Sequence, residues 1–379
     1  MKHFFLIILS LLIVSCGNEN NRVGYNAAGQ LVLNFENETA SVFFSDRVFG
    51  GVEIIPLETS DNSLLGREPE LLMNDHHFFV WDKQQYCIMR FDETGKYLNR
   101  IGSRGSGPGE YLVILDYYID NASATVEILA PRGQVLQYNY DGQFISSRTY
   151  EKDALAFVKT ATDYWFYLGV IPQAEEGRLV KMSEDVTDIQ KFLPVKTTWP
   201  MPFGMVKNFA QCGNTITLNE YISSTVYCIT NNGPVETTVL NFGKYAIPDS
   251  IFEGDFDTET DKLGDRGCAL ILKYAENERF VYIHFETLQG GDFDGDYHWL
   301  VNKHTGNSVL QKFSQDDQLH KLMKEAIILT GDNKLTFLVD TQMLKECKDP
   351  FISDAIDPIR DSLSEDGNPV VIMLIINDF

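Results

Sequence analysis

The stretch Phe91–Tyr111, FDETGKYLNRIGSRGSGPGEY, decides how this chain is read. Asp92, Thr94 and Gly95 supply turn chemistry, because an Asp side chain bonds nearby backbone amides and Gly accepts a positive φ. Lys96–Ile101 then alternates as a strand. Gly102, Gly105, Gly107, Pro108 and Gly109 force a compact, irregular crossing into the next apolar strand at Tyr111–Leu115. A unit that ends one small sheet and starts another points to a repeat protein.

The unit recurs. Asp141-Gly142 leads to QFISSRTY, Asp185–Asp188 to IQKFLPV, Asn231-Asn232-Gly233 to PVETTVLNF, and His304-Thr305-Gly306 to NSVLQKF. With Gly95, Gly142, Asp188, Gly233 and Gly306 as markers, the steps are 47, 46, 45 and 73 residues. The first three suit a four-stranded propeller blade of about 40–50 residues. The long step holds an insertion at about 243–267, rich in Asp and Glu and read as a solvated acidic loop. An apolar run precedes each turn: Phe78–Trp81, Val126–Leu129, Trp165–Val170, Thr215–Leu218 and Phe280–Phe285, with a sixth at Leu335–Val339. Helical periodicity is confined to Gln315–Thr330 and Thr341–Ser364. The expected fold is therefore all-β, a six-bladed β-propeller with four-stranded blades. Its last blade is closed by N- and C-terminal strands, Val370–Ile376 pairing with Val52–Glu58 on the edge, where Pro56 is tolerable.

The 379-residue chain is 44% hydrophobic and carries a net charge of −23. That balance suits a globular protein and argues against nucleic acid as a partner, since phosphate contacts need a basic surface. At the N-terminus Lys2 and His3 precede an apolar run, Phe4–Val14, too short to span a bilayer as a helix. It ends in Ile13-Val14-Ser15-Cys16, which resembles a bacterial lipobox with Cys16 as the lipidated residue. The competing reading is an ordinary cleaved signal peptide with an incidental cysteine. The expected division is a signal peptide over 1–16, a polar tether over 17–40 and one propeller domain over 41–379. The remaining Cys87, Cys212, Cys228, Cys268 and Cys347 are odd in number and lack CxxC spacing, so they read mostly as buried thiols.

Together, IPLET at Ile55–Thr59, FDETGKYLNRIG, GSGPGEY at Gly105–Tyr111 and the lipobox resemble the six-bladed β-propeller lipoproteins of bacterial envelopes. That family is distantly similar to NHL-repeat proteins, which carry a similar glycine-rich stretch ending in an aromatic residue between blades. The resemblance covers nearly the whole mature chain, with blades three to six matched by period alone. It implies fold and address: a cell-envelope protein, expected as an outer-membrane lipoprotein facing either the periplasm or the outside.

Candidate chemistry is sparse. Gly102–Gly109 lacks the Gly-Lys-Ser/Thr ending and the following helix of a phosphate loop, so it reads as an inter-blade junction. Arg104 and Glu110 within it are candidate ligand contacts, against a plainer role capping loop amides. Trp199-Pro200-Met201-Pro202-Phe203 is the most plausible contact surface, offering Trp199 and Phe203 to a sugar or peptide, against packing on a neighbouring blade. Asp292, Asp294 and Asp296 have the alternate spacing of a calcium loop, but Tyr297 and Lys303 break the pattern. His284, His298, His304 and His320 form no HExxH-type pair. No metal, cofactor or catalytic residue is assigned. The expected function is a non-enzymatic binding or scaffold module for a glycan, peptide or envelope protein, held to the membrane by its lipid. The competing reading is an envelope hydrolase or lyase with its site in the central channel.

Overall fold

Asp92, Asn139 and Asn302 end the third strand of three different blades in the same way. The Asp92 carboxylate accepts from the amides of Thr94 (2.9 Å) and Lys96 (3.0 Å), Asn139 from Gln143 (2.8 Å), and Asn302 from His304 (3.0 Å). Each turn is thus closed by its own side chain and leads into the fourth strand. The computed structural model describes residues 22–35, 41–74, 76–169, 177–195, 208–314, 317, 321–323 and 328–379.

Six sheets form the propeller. Blade one runs Glu70–Met73, His77–Asp82, Cys87–Asp92 and Tyr97–Ile101. Blade two runs Asp116–Asp120, Thr125–Ala130, Gln134–Asn139 and Phe144–Thr149. Blade three runs Ala156–Lys159, Asp163–Tyr167, Leu179–Ser183 and Ile189–Phe192. Blade four holds Phe209–Cys212, Thr215–Asn219, Thr225–Thr230 and Gly233–Asn241. Blade five holds Cys268–Glu276, Phe280–Gln289, Asp292–Asn302 and Ser308–Phe313. Blade six is built from Ile328–Leu329, Lys334–Val339, Val370–Ile376 and, on its outer edge, Phe49–Pro56. Every apolar run read from the sequence falls on the second strand of a blade, and every marker lies between strands three and four except Gly233, which opens the fourth strand of blade four.

Burial explains the strand types. Thr125–Ala130 is buried at all six positions because neighbouring blades cover both faces, whereas the outer strand Phe144–Thr149 is exposed throughout. The core is therefore a set of apolar layers between blades, such as Phe79, Ile101, Tyr111, Tyr117 and Tyr138 between blades one and two. The marker glycines serve these layers too. Gly95 and Gly142 have φ of +83° and +80°, and a Cβ there would run into the Pro56 and Arg100 carbonyl oxygens of the preceding blade.

The closure of the last blade is as expected, with Val370 opposite Pro56 and Val371 opposite Ile55. Three expectations change. First, Val23–Tyr25 and Leu31–Asn34 form a hairpin that joins blade four, Leu31–Asn34 pairing parallel with Thr238–Asn241. Residues 23–35 are thus part of the propeller and not of a tether over 17–40. The cause is apolar: Leu33 and Phe35 are buried, and the Phe35 ring meets those of Phe285 and Tyr297 at 5.1 and 5.0 Å. Second, the acidic insertion is ordered as a helix, Phe256–Arg266, capped by the Asp255 side chain accepting from the Thr258 amide. Third, the expected helix over Thr341–Ser364 is broken into Thr341–Glu346, Pro350–Ile356 and a single turn at Arg360–Ser362. The other expected helix, Gln315–Thr330, lies largely outside the described residues.

Candidate functional site

The innermost strands of all six blades surround a central cavity of about 900 Å³. Its wall is aromatic and aliphatic: Leu72 and Met73 from blade one, Tyr117 and Tyr118 from blade two, Phe157 from blade three, and Phe209 from blade four. Ala275 of blade five and Leu329 of blade six complete it. Polar groups gather where first strands end and second strands begin, namely Asn74, Asn121, Cys212, Glu276 and Asp332, with His77 and Lys334 beside them. The described innermost strand of blade six is Ile328–Leu329, and the cavity there is also lined by Ile55, Phe78 and Met373.

The polar groups hold one another in place. Asn74 Nδ2 donates to Asn121 Oδ1 at 3.0 Å and to the Tyr140 hydroxyl at 3.1 Å, and that hydroxyl donates to Asn121 Oδ1 at 3.0 Å. Asn74 Oδ1 accepts from the His77 amide at 2.8 Å. Lys334 Nζ lies 3.0 Å from Glu53 and 3.5 Å from Asp332. Glu276 accepts from the Tyr274 hydroxyl at 2.9 Å and has Lys303 at 3.8 Å.

Two side chains at the wall are held in their protonated forms. Burial pushes the Cys212 thiol up, helped by Asp332, so it stays a thiol. Its hydrogen bond to Glu53 raises the Lys334 ammonium, which removes it as a neutral amine nucleophile. Burial, then the Arg90 guanidinium, lowers His77, leaving a neutral imidazole that can donate or accept at the cavity wall. Burial also raises the Tyr118 phenol, whose hydroxyl hydrogen-bonds Gln211. The arrangement presents aromatic faces and fixed amide and hydroxyl groups, the chemistry of recognition.

Those residues singled out in the sequence that the structure describes lie elsewhere. Glu110 accepts from the Gly107 amide at 2.7 Å, and Arg104 sits 4.5 Å from the Tyr86 ring and donates to the Leu112 carbonyl at 3.3 Å. Neither lines the cavity. Trp199 and Phe203 lie outside the described residues. Asp292, Asp294 and Asp296 do not make one loop: Asp294 accepts from Tyr245 and Thr287 at 3.0 Å each, while Asp296 turns inward to His284. That last contact belongs to a group the sequence reading missed, His284, Asp296 and His298, all buried on adjacent strands of blade five. Its signal was present as YIHFE facing DYHWL, with polar residues alternating inside two otherwise apolar strands. Of the five cysteines, Cys87, Cys268 and Cys347 are buried, and all five are free thiols. No helix among the described residues is long and apolar enough to cross a membrane.

Two solved structures share the fold. One is a Bacteroides fragilis protein thought to be exported, with a TM-score of 0.75 at 16% identity, covering 92% of this chain and all of the other. The second is a member of the DUF4221 family from Bacteroides vulgatus, with a TM-score of 0.54 at 11% identity, covering 87% of this chain and 97% of the other. Among curated proteins, none matches. A family model described as a domain of unknown function, DUF4934, matches residues 30–374, and the chain belongs to that family.

Proposed function

We propose that this chain is a lipid-anchored envelope propeller that holds a glycan, a peptide or a segment of an envelope protein in its central cavity. The observation that carries the reading is the cavity itself. Its volume of about 900 Å³ falls within the range of small-ligand sites, and its wall combines aromatic faces with a network of fixed amides. Tyr118, Phe157 and Phe209 offer rings to a sugar face or an apolar side chain, and Asn74, Asn121 and Gln211 offer paired donors and acceptors.

The address rests on the sequence. Ser15-Cys16 after the apolar run supports lipidation at Cys16 and an outer-membrane location, and the glycine-rich junction ending in Tyr111 supports kinship with NHL repeats. The test screens purified protein on glycan and peptide arrays, alongside Tyr118→Ala. One ligand class should bind the wild type and lose about tenfold in the variant, the scale of 1.4 kcal/mol for one aromatic contact. Equal binding by the variant, or turnover of the bound compound, would overturn the reading.

A further inference from the structure

His284, Asp296 and His298 point into one buried space. His284 stands opposite His298 and Glu286 opposite Asp296 on neighbouring strands of blade five, so two alternate rungs bring the three side chains to one sheet face. Asp296 Oδ1 lies 2.9 Å from His284 Nε2 and 3.4 Å from His298 Nε2. All three donor atoms lie within 4.8 Å of one another. Donor atoms around a tetrahedral ion with bonds of about 2.0–2.2 Å stand roughly 3.3–3.6 Å apart. The carboxylate–imidazole separations are already close to that.

From this geometry we infer that the cluster is a zinc-class metal site with His284 Nε2, His298 Nε2 and one Asp296 oxygen as ligands. Two imidazoles and a carboxylate are the donor set such ions favour, and three protein donors leave one position of a tetrahedral ion for a further ligand. The support behind the ligands fits. The Tyr282 hydroxyl lies 2.5 Å from His298 Nδ1, which fixes the ring and turns its Nε2 towards Asp296. Phe43 and Phe313 pack against the His298 ring at 6.1 and 5.1 Å, making a dry shell that strengthens metal–ligand electrostatics. The plainer reading is a hydrogen-bonded His–Asp pair filling the core. In that reading both Nε2 atoms carry protons and donate to the one carboxylate, whereas a bound ion takes both as lone-pair ligands, and zinc retention separates the two. The two rings now stack at 4.4 Å and 12°, so a shared ion would splay them.

The test uses the full mature chain, stripped with chelator and then supplied with Zn²⁺ or Co²⁺. After gel filtration the wild type should retain one equivalent of zinc, and its Tm should rise by on the order of 3 °C over the stripped protein. Asp296→Asn, close in shape, should bind zinc at least tenfold more weakly, whereas Cys212→Ala should behave as wild type. No retained zinc with an unchanged Tm, or equal retention by Asp296→Asn, would overturn the assignment. Should Asp296→Asn not fold, the wild-type Co²⁺ spectrum decides. Tetrahedral ligand-field bands without a thiolate charge-transfer band support the site, and their absence, or a thiolate band, refutes it.

Discussion

Val371 in the C-terminal strand stands directly opposite Ile55 in an N-terminal strand, and the two strands complete blade six. The pairing joins the ends of a ring, so neither strand has another partner for that edge. Deleting residues 367–379 removes the third strand of the blade and uncovers Phe337, Ile372's neighbour across the ladder. Calorimetry should show loss of the cooperative transition, and a truncated protein that melts like the full chain would refute closure as the source of cooperativity.

Tyr111 locks the junction between blades one and two. It is 2% exposed, and its hydroxyl donates to the Ile101 carbonyl at 3.1 Å. Tyr111→Ala should cost about 3–5 kcal/mol, in line with other buried aromatics. Tyr111→Phe should cost only about 1 kcal/mol for the hydrogen bond. Urea unfolding of the two variants measures both, and similar losses would contradict the assignment of packing as the larger contribution.

Blades three and four are joined by a buried ion pair. The Arg178 guanidinium meets the Glu220 carboxylate, both groups almost fully buried, and the Tyr167 hydroxyl donates to the same oxygen at 2.9 Å. Glu220→Gln leaves the guanidinium without its counter-charge, an expected loss of about 3–5 kcal/mol. Chemical denaturation at neutral pH reads this directly.

Asp185 gives a pH signature. Hydrogen bonds from the Ser183 and Thr187 hydroxyls hold its carboxyl down to about 2. A folded-state value below the unfolded one means the contribution is present above the unfolded pKa, about 3.9, and is lost as pH falls through about 2. NMR titration should find Asp185 ionised at pH 3, and the stability gap to Asp185→Asn should close between pH 4 and about 2. A titration midpoint near 4 would contradict it.

Cys16→Ala should abolish lipidation and move the protein from the membrane to the soluble fraction. Fractionation with a labelled fatty acid checks this, and unchanged membrane association would count against the anchor.

Much of the fold was legible because turns and strands are local. Asp92 and Gly95 announce a turn from their own chemistry, and a run such as Val126–Leu129 announces a strand buried on both faces. Equal spacing of these signals then implies a ring. The hairpin at Val23–Asn34 escaped because its polar lead-in reads as a tether, and its burial depends on Phe285 and Tyr297, far away in sequence.

The sites followed the opposite logic. Arg104 and Glu110 sit in the most conspicuous motif, yet their partners are local: the Gly107 amide for Glu110, the Leu112 carbonyl and the Tyr86 ring for Arg104. The cavity wall takes short segments from all six blades, so no single stretch of sequence carries it. Nor does spacing along the chain disclose His284, Asp296 and His298, which meet only through the register of two antiparallel strands. The repeat, the blade count and the closure could be read from the chain, because each is written in short-range turn chemistry and alternation. Where a ligand or an ion would sit depends on the folded ring. Those places exist only once strands distant along the chain are brought side by side.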